Sequence, residues 1–249
     1  MKALYLTDRS KYAPFAFWKM DKMTGEGAAF YDATGDCLYA IRDKQLLFYH
    51  AGDERRFHIP IETLNGLDFI VLRMCDFTRI KDRLEGFRLD QGWTLYYDFD
   101  FVPKTYDRNK LVPVDFDFSD AAHYKLASRL LLGEDNPDRI KRWTALPAFD
   151  PSLWIWIKDV EADRLVSIGI SGYHREMRET DLDWIEVDAE FRNRGIGRIL
   201  LSEIVNRSIA RSNVIRVGGV ADGFYKKCGF YERELFGVAI KPGFAFNEQ

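Results

Sequence analysis

Residues 182–201, LDWIEVDAEFRNRGIGRILL, constrain the fold of this chain more tightly than any other stretch. The apolar run ending at Val187 reads as a strand. A polar turn follows, and Arg192-Asn193-Arg194-Gly195-Ile196-Gly197 then opens a helix with apolar residues at 200, 201, 204, 205 and 209, all on one face. A strand feeding a one-faced helix must bury both apolar surfaces against each other, which predicts an α/β layered fold.

The same turn predicts chemistry. Glycines at 195 and 197 remove the Cβ atoms that would hold a ligand away from the backbone. First-turn amides of a helix have no intrahelical acceptor and carry the positive end of the dipole, so an anion, above all a pyrophosphate, suits the site. Arg192, Arg194 and Arg198 surround it with positive charge. It is not a dinucleotide fingerprint, because position 200 is leucine where a third glycine belongs, and no Gly-Lys-Ser/Thr follows to make a phosphate loop.

Around this core the chain reads as α-α-β-β-β-α-β-α-β. Ser119 caps a helix ending at Gly133, and Asn136-Pro137 starts a second. Strands are expected over Ser152–Lys158, Leu165–Tyr173 and Leu182–Val187, then helix Arg198–Arg211, strand Val214–Val217, a short helix at Phe224–Lys227 and a last strand Glu234–Ile240. Trp154 and Trp156 share a strand face and are expected to pack in the core or at a subunit contact.

Residues 103–118 read as a linker or extended edge strand, which divides the chain into 1–115 and 116–249. The first part looks β-rich, with a hairpin of Cys37–Ile41 and Leu46–His50, a short strand Arg56–Ile59, and a β-α-β unit from Leu67 to Phe101. That unit shares the order strand, helix, Gly-Phe, strand with the end of the chain. An internal duplication explains this, and so does the frequency of such C-capped junctions.

Charge is balanced in both parts: 17 Lys+Arg against 18 Asp+Glu up to residue 115, and 19 against 21 after it. Without a basic concentration, nucleic acid is not an expected partner. Cys37, Cys75 and Cys228 form no CxxC pair, the four histidines are scattered, and no metal site is expected. No apolar run approaches the ~18 residues of a membrane span, so the expectation is a cytoplasmic protein with reduced thiols and no membrane partner.

Arg192-x-x-Gly195-x-Gly197 after a strand resembles the (Gln/Arg)-x-x-Gly-x-(Gly/Ala) coenzyme A motif of the GNAT superfamily of N-acetyltransferases. Phe224-Tyr225-Lys226-Lys227-Cys228-Gly229-Phe230 is similar to the family's Phe-Tyr-x-x-x-Gly-Phe segment. The resemblance covers about 119–245. It implies a mixed α/β sheet of the GNAT-like acyl-CoA N-acyltransferase type, in which two parallel strands splay to admit acetyl-CoA, preceded by a β-rich α/β region that is a degenerate copy or an acceptor-shaping partner. The only similar string there, Lys22-Met23-Thr24-Gly25-Glu26-Gly27, has no convincing strand before it.

By position, the resemblance implies that Ile185, Glu186 and Val187 meet the pantetheine through backbone groups. It implies likewise that Asn193, Arg194, Gly195, Ile196, Gly197 and Arg198 cradle the pyrophosphate and that Tyr225 protonates the departing thiolate. A phenol with pKa near ~10 is protonated at neutral pH and suits that task. Two positions depart from the family pattern: Ala189 stands where proline is common, and Gly218 where an asparagine often precedes the tyrosine.

A general base must take the amine proton, directly or through water. Asp181, Asp183, Glu186 and His174 are candidates, with Asp183 and Glu186 preferred. Unbroken alternation sets 181 and 183 on one face and 186 on the other, but the family often carries a bulge here. The expected activity is transfer of acetyl from acetyl-CoA to a primary amine of a small molecule or protein, by direct attack in a ternary complex. The alternatives are a non-catalytic acyl-CoA-binding regulatory module and a turn that holds another nucleotide phosphate. Dimers are frequent in the family, so a homodimer is a further expectation.

Overall fold

The structure is a computed structural model that describes residues 5–6, 16–19, 22, 29–31, 37–42, 44–51, 57–102, 106, 109–219 and 222–244. The string from Met23 to Gly27 and most of 103–108 lie outside these residues, as does the Cys37 side chain. Two compact units form. One comprises Met1–Leu95, Gly218–Asp222 and Glu232–Gln249, the other Tyr96–Val217 and Gly223–Tyr231.

In the first unit the strands are β1 (Ala29–Tyr31), β2 (Cys37–Arg42), β3 (Gln45–Ala51), β4 (Phe69–Arg73) and β5 (Arg88–Tyr97), with helices α1 (Ile61–Asn65) and α2 (Met74–Ile80). β2 and β3 form the expected antiparallel pair. The short strand expected at Arg56–Ile59 is absent over 57–59, which are irregular. Its sheet order is β1-β2-β3-β4-β11-β5, where β11 (Phe230–Ile240) is the last strand of the chain and runs antiparallel to β4. Leu64, Ile70, Leu72, Phe77 and Ala239 share one core cluster, so the C-terminal strand helps to build the N-terminal unit.

The second unit has strands β6 (Leu111–Asp115), β7 (Phe149–Asp159), β8 (Arg164–His174), β9 (Glu179–Val187) and β10 (Val214–Gly219). Its helices are α3 (Ala121–Leu132), α4 (Pro137–Arg142), α5 (Ile196–Ser208) and α6 (Asp222–Lys226). The order α-α-β-β-β-α-β-α-β is as expected. β6, within the segment expected to be a linker or an extended edge strand, is an edge strand: it pairs antiparallel with β7 and ends the order β10-β9-β8-β7-β6.

Local chemistry explains the helix ends. The α3 cap is Asp120, one residue past the expected Ser119: its carboxylate accepts from the Ala122 N–H at 2.8 Å, while Ser119 Oγ donates to Asp117. Gly133 closes the helix at φ 69°, and Asn136 caps α4 with Pro137 at its first position.

Helices cover both faces of the sheet. On one side Trp154, Trp156, Ile168 and Ile170 pack with Tyr124, Ala127 and Ile140 of α3 and α4, so both tryptophans are core residues. On the other side α5 lies so close that a Cβ on Gly169 would come within 2.5 Å of Ile204 and 3.0 Å of Leu200.

Candidate active site

The site begins where β9 changes partners. Its parallel pairing with β10 runs from Glu179↔Val214 to Leu182↔Val217, whereas its antiparallel pairing with β8 continues to Val187↔Ser167. Between Ile170↔Trp184 and Ser171↔Leu182 the register shifts, leaving Asp183 as the extra residue of a bulge. Cross-strand partners share a face, so the bulge reverses the parity beyond it. Trp184 and Glu186, opposite Ile170 and Ile168, face the α3/α4 side together with Asp181, while Ile185 and Val187 face α5. The alternation that separates Asp181 from Glu186 in an unbroken strand is therefore overturned.

Beyond Val187 the chain makes a single 3-10 turn capped by Asp188, and then reverses through two left-handed residues, Asn193 at φ 64° and Gly195 at φ 81°. Gly195 caps α5. The first helical donors, Arg198 and Ile199, both bond to Gly195 O at 3.1 and 3.2 Å. Among the described residues no backbone acceptor is found for the N–H groups of Asn193 to Gly197, an arrangement from which an anion-binding nest can be built.

The two glycines serve different ends. Nothing lies within 4 Å of a Cβ placed on Gly195, so this side of the turn is open to a ligand. A Cβ on Gly197 would instead press on the Phe224 ring at 3.3 Å and Val187 Cγ2 at 3.4 Å. Gly197 thus lets α5 close on α6 and β9.

The three arginines are each held. Arg192 donates to Val187 O at 3.1 Å and to Glu186 Oε1 at 2.9 Å, and Glu186 Oε1 also accepts from the Val187 N–H. The Arg194 guanidinium stands 4.9 Å over the Phe191 ring. Burial raises the pKa of the Cys228 thiol, outweighing the Arg198 charge, which favours the thiolate.

Tyr225 lies on α6, its ring 5.1 Å from Phe224 and 5.7 Å from Phe230. Burial, with Cys228 and Glu186 adding to it, pushes its phenol up to about 12.

Residues outside both motifs complete this region. Asp98 N donates to Gly229 O at 2.8 Å, Phe101 fills the space a Cβ on Gly229 would need, and Tyr97 meets Phe230 edge-on at 5.3 Å. Nothing in the pattern of residues 96–101 announced this, because the contacts depend on chain brought in from more than a hundred residues away.

The carboxylates separate clearly. Asp181, 4% exposed, and Glu179, 1% exposed, flank the fully buried Arg216 at 3.7 and 3.6 Å. Tyr96 lies beneath that guanidinium at 5.9 Å. Asp183 is half-buried at the bulge. His174 pairs across the sheet with Glu179 and lines a cavity of about 460 Å³ with Tyr173, Asp150 and Arg211. That is the start of β9, eight residues or roughly 27 Å along the strand from Val187. The structure therefore gathers Glu186, Val187, the 192–198 turn and Tyr225, and leaves His174 at the opposite end. Among the described residues no group of three or more His, Cys, Asp or Glu is placed to hold a metal, and no helix is long and apolar enough to cross a membrane.

Comparison with known proteins agrees with this geometry. Residues 151–232 match the model of the acetyltransferase (GNAT) domain. The fold is similar to a GCN5-related N-acetyltransferase from Sphaerobacter thermophilus, at TM-score 0.66 and 14% identity over 86% of this chain and 80% of that one. It is also similar to a GNAT-family acetyltransferase from Colwellia psychrerythraea, at TM-score 0.62 and 10% identity over 96% and 95%. A GCN5-related N-acetyltransferase from Kribbella flavida gives TM-score 0.60 and 10% identity over 94% and 98%. No curated protein matches the sequence.

Proposed function

Because residues 151–232 match the model of the acetyltransferase (GNAT) domain, we propose that the chain transfers acetyl from acetyl-CoA to a primary amine by direct attack in a ternary complex. The observation that carries this reading is the run of backbone N–H groups from Asn193 to Gly197, left without backbone acceptors beside the open face of Gly195. That nest fits the pyrophosphate of coenzyme A, with Ile185 to Val187 offering backbone groups to the pantetheine where β9 has left β10.

When bound, the thioester supplies an acyl carbon that an amine attacks, so that a C–N bond forms and the C–S bond breaks. The chain's own residues handle the two protons. Asp183, turned out of the strand alternation by the bulge, takes the amine proton directly or through water. Glu186, already engaged by Arg192 and the Val187 N–H, fixes the turn that follows β9. Tyr225 donates its phenolic proton to the leaving thiolate, and burial keeps it protonated until then.

The test is thiol release from acetyl-CoA over a panel of primary amines, alongside calorimetric binding of acetyl-CoA. Binding without release from any amine would mark the chain as a non-catalytic acyl-CoA-binding module. Gly195→Val puts a β-branched residue at φ 81°, at a strain of about 1–3 kcal/mol that distorts the turn. We expect acetyl-CoA to bind about tenfold or more weakly, and unchanged calorimetric affinity would remove the nest from the account. For Asp183→Asn the expected result is a kcat lower by about 10²-fold with acetyl-CoA affinity unchanged. An unaltered kcat would move the base elsewhere.

A further inference from the structure

Trp184 is 41% exposed, yet its indole is not loose on the surface. It lies flat against Trp143, with ring centroids 5.5 Å apart and planes 6° from parallel. Trp143 is itself buried in the apolar cluster between α3, α4 and the sheet. A buried ring therefore holds an exposed one in a fixed plane, and pre-fixed aromatic surface recognises a ligand with little entropy left to lose.

Its place in the strand gives this surface a purpose. Trp184 directly follows the bulge at Asp183 and is the second residue past the last β9–β10 pair, Leu182↔Val217. It shares a sheet face with Asp181 and Glu186. Asp181 and Glu186 are taken up by Arg216 and Arg192, so the indole itself is the recognition element. A flat apolar surface next to the half-buried Asp183 suits a molecule with a ring at one end and an amine at the other: the ring stacks on the indole and the amine lies toward Asp183.

We propose that Trp184, backed by Trp143, determines acceptor specificity, selecting primary amines borne on a flat aromatic body. This inference rests on the acetyl-transfer reading above. It predicts that phenethylamine is a better acceptor than n-hexylamine or spermidine, through a lower KM rather than a higher kcat. Trp184→Ala should raise the KM for phenethylamine about tenfold, leave that for n-hexylamine nearly unchanged, and leave the calorimetric affinity for acetyl-CoA intact. Trp184→Phe should restore most of the preference, which a merely structural role would not do.

Thiol release with aliphatic and aromatic amines at equal KM, or a Trp184→Ala variant that loses both alike, overturns the inference while leaving acetyl transfer standing. No release with any amine overturns the acetyl-transfer reading itself, and acetyl-CoA binding by the same protein reports independently that the fold is intact.

Discussion

Replacing Tyr225 by phenylalanine is expected to lower kcat by about 10²-fold while acetyl-CoA affinity stays within about twofold of the parent. The ring contacts with Phe224 and Phe230 survive the change, so α6 keeps its packing and only the hydroxyl is lost. Steady-state thiol release with calorimetric binding on the same samples separates the two effects. Equal losses in kcat and affinity would show that Tyr225 packs rather than donates.

The pH dependence follows from the raised phenol. Tyr225 stays protonated until pH approaches about 12, so a falling alkaline limb of kcat at lower pH belongs to another group. For stability, the folded pKa lies above the unfolded value near ~10. The contribution is fully present below pH ~10 and is lost as pH rises from there through about 12. Tyr225→Phe should remove that part of the alkaline decline.

The second large effect concerns the fold around the site. Arg216→Met is expected to destabilise the protein by about 3–5 kcal/mol, because it strips the guanidinium from between two buried carboxylates. In urea unfolding the midpoint should fall with m unchanged, and for a chain of this size Tm should drop by about 2–4 °C per kcal/mol. Adding Asp181→Asn should recover part of the loss, since it removes one of the two stranded charges. If Arg216→Met costs less than ~1 kcal/mol, the cluster is not the clamp between β9 and β10 that its burial indicates.

Asp181 illustrates where sequence reading reaches its limit. It stands among the acidic residues that nominate a base, and only Arg216, thirty-five positions later and brought alongside by parallel pairing, shows it to be part of a buried ion cluster. Trp184 is similar. Its exposure and its stack on Trp143 depend on a bulge and on where α4 lies, neither of which is written in local periodicity.

The strand-to-helix turn at 187–198 was legible from the chain alone because its determinants are local. A positive φ needs glycine, first-turn amides lack acceptors whatever surrounds them, and a one-faced apolar pattern forces the following helix onto the sheet. The fold class follows from that turn and from the Phe224–Phe230 segment. Tertiary structure decided the rest. It placed β11 from Glu232 onward in the first unit and, within the second, residues 96–101 against Phe230; it reversed the face of Glu186 through the bulge at Asp183, and it sorted three strand carboxylates into one cluster member, one candidate base and one partner of Arg192. Each of those outcomes turns on pairing between distant segments, whose energy no short window of sequence contains.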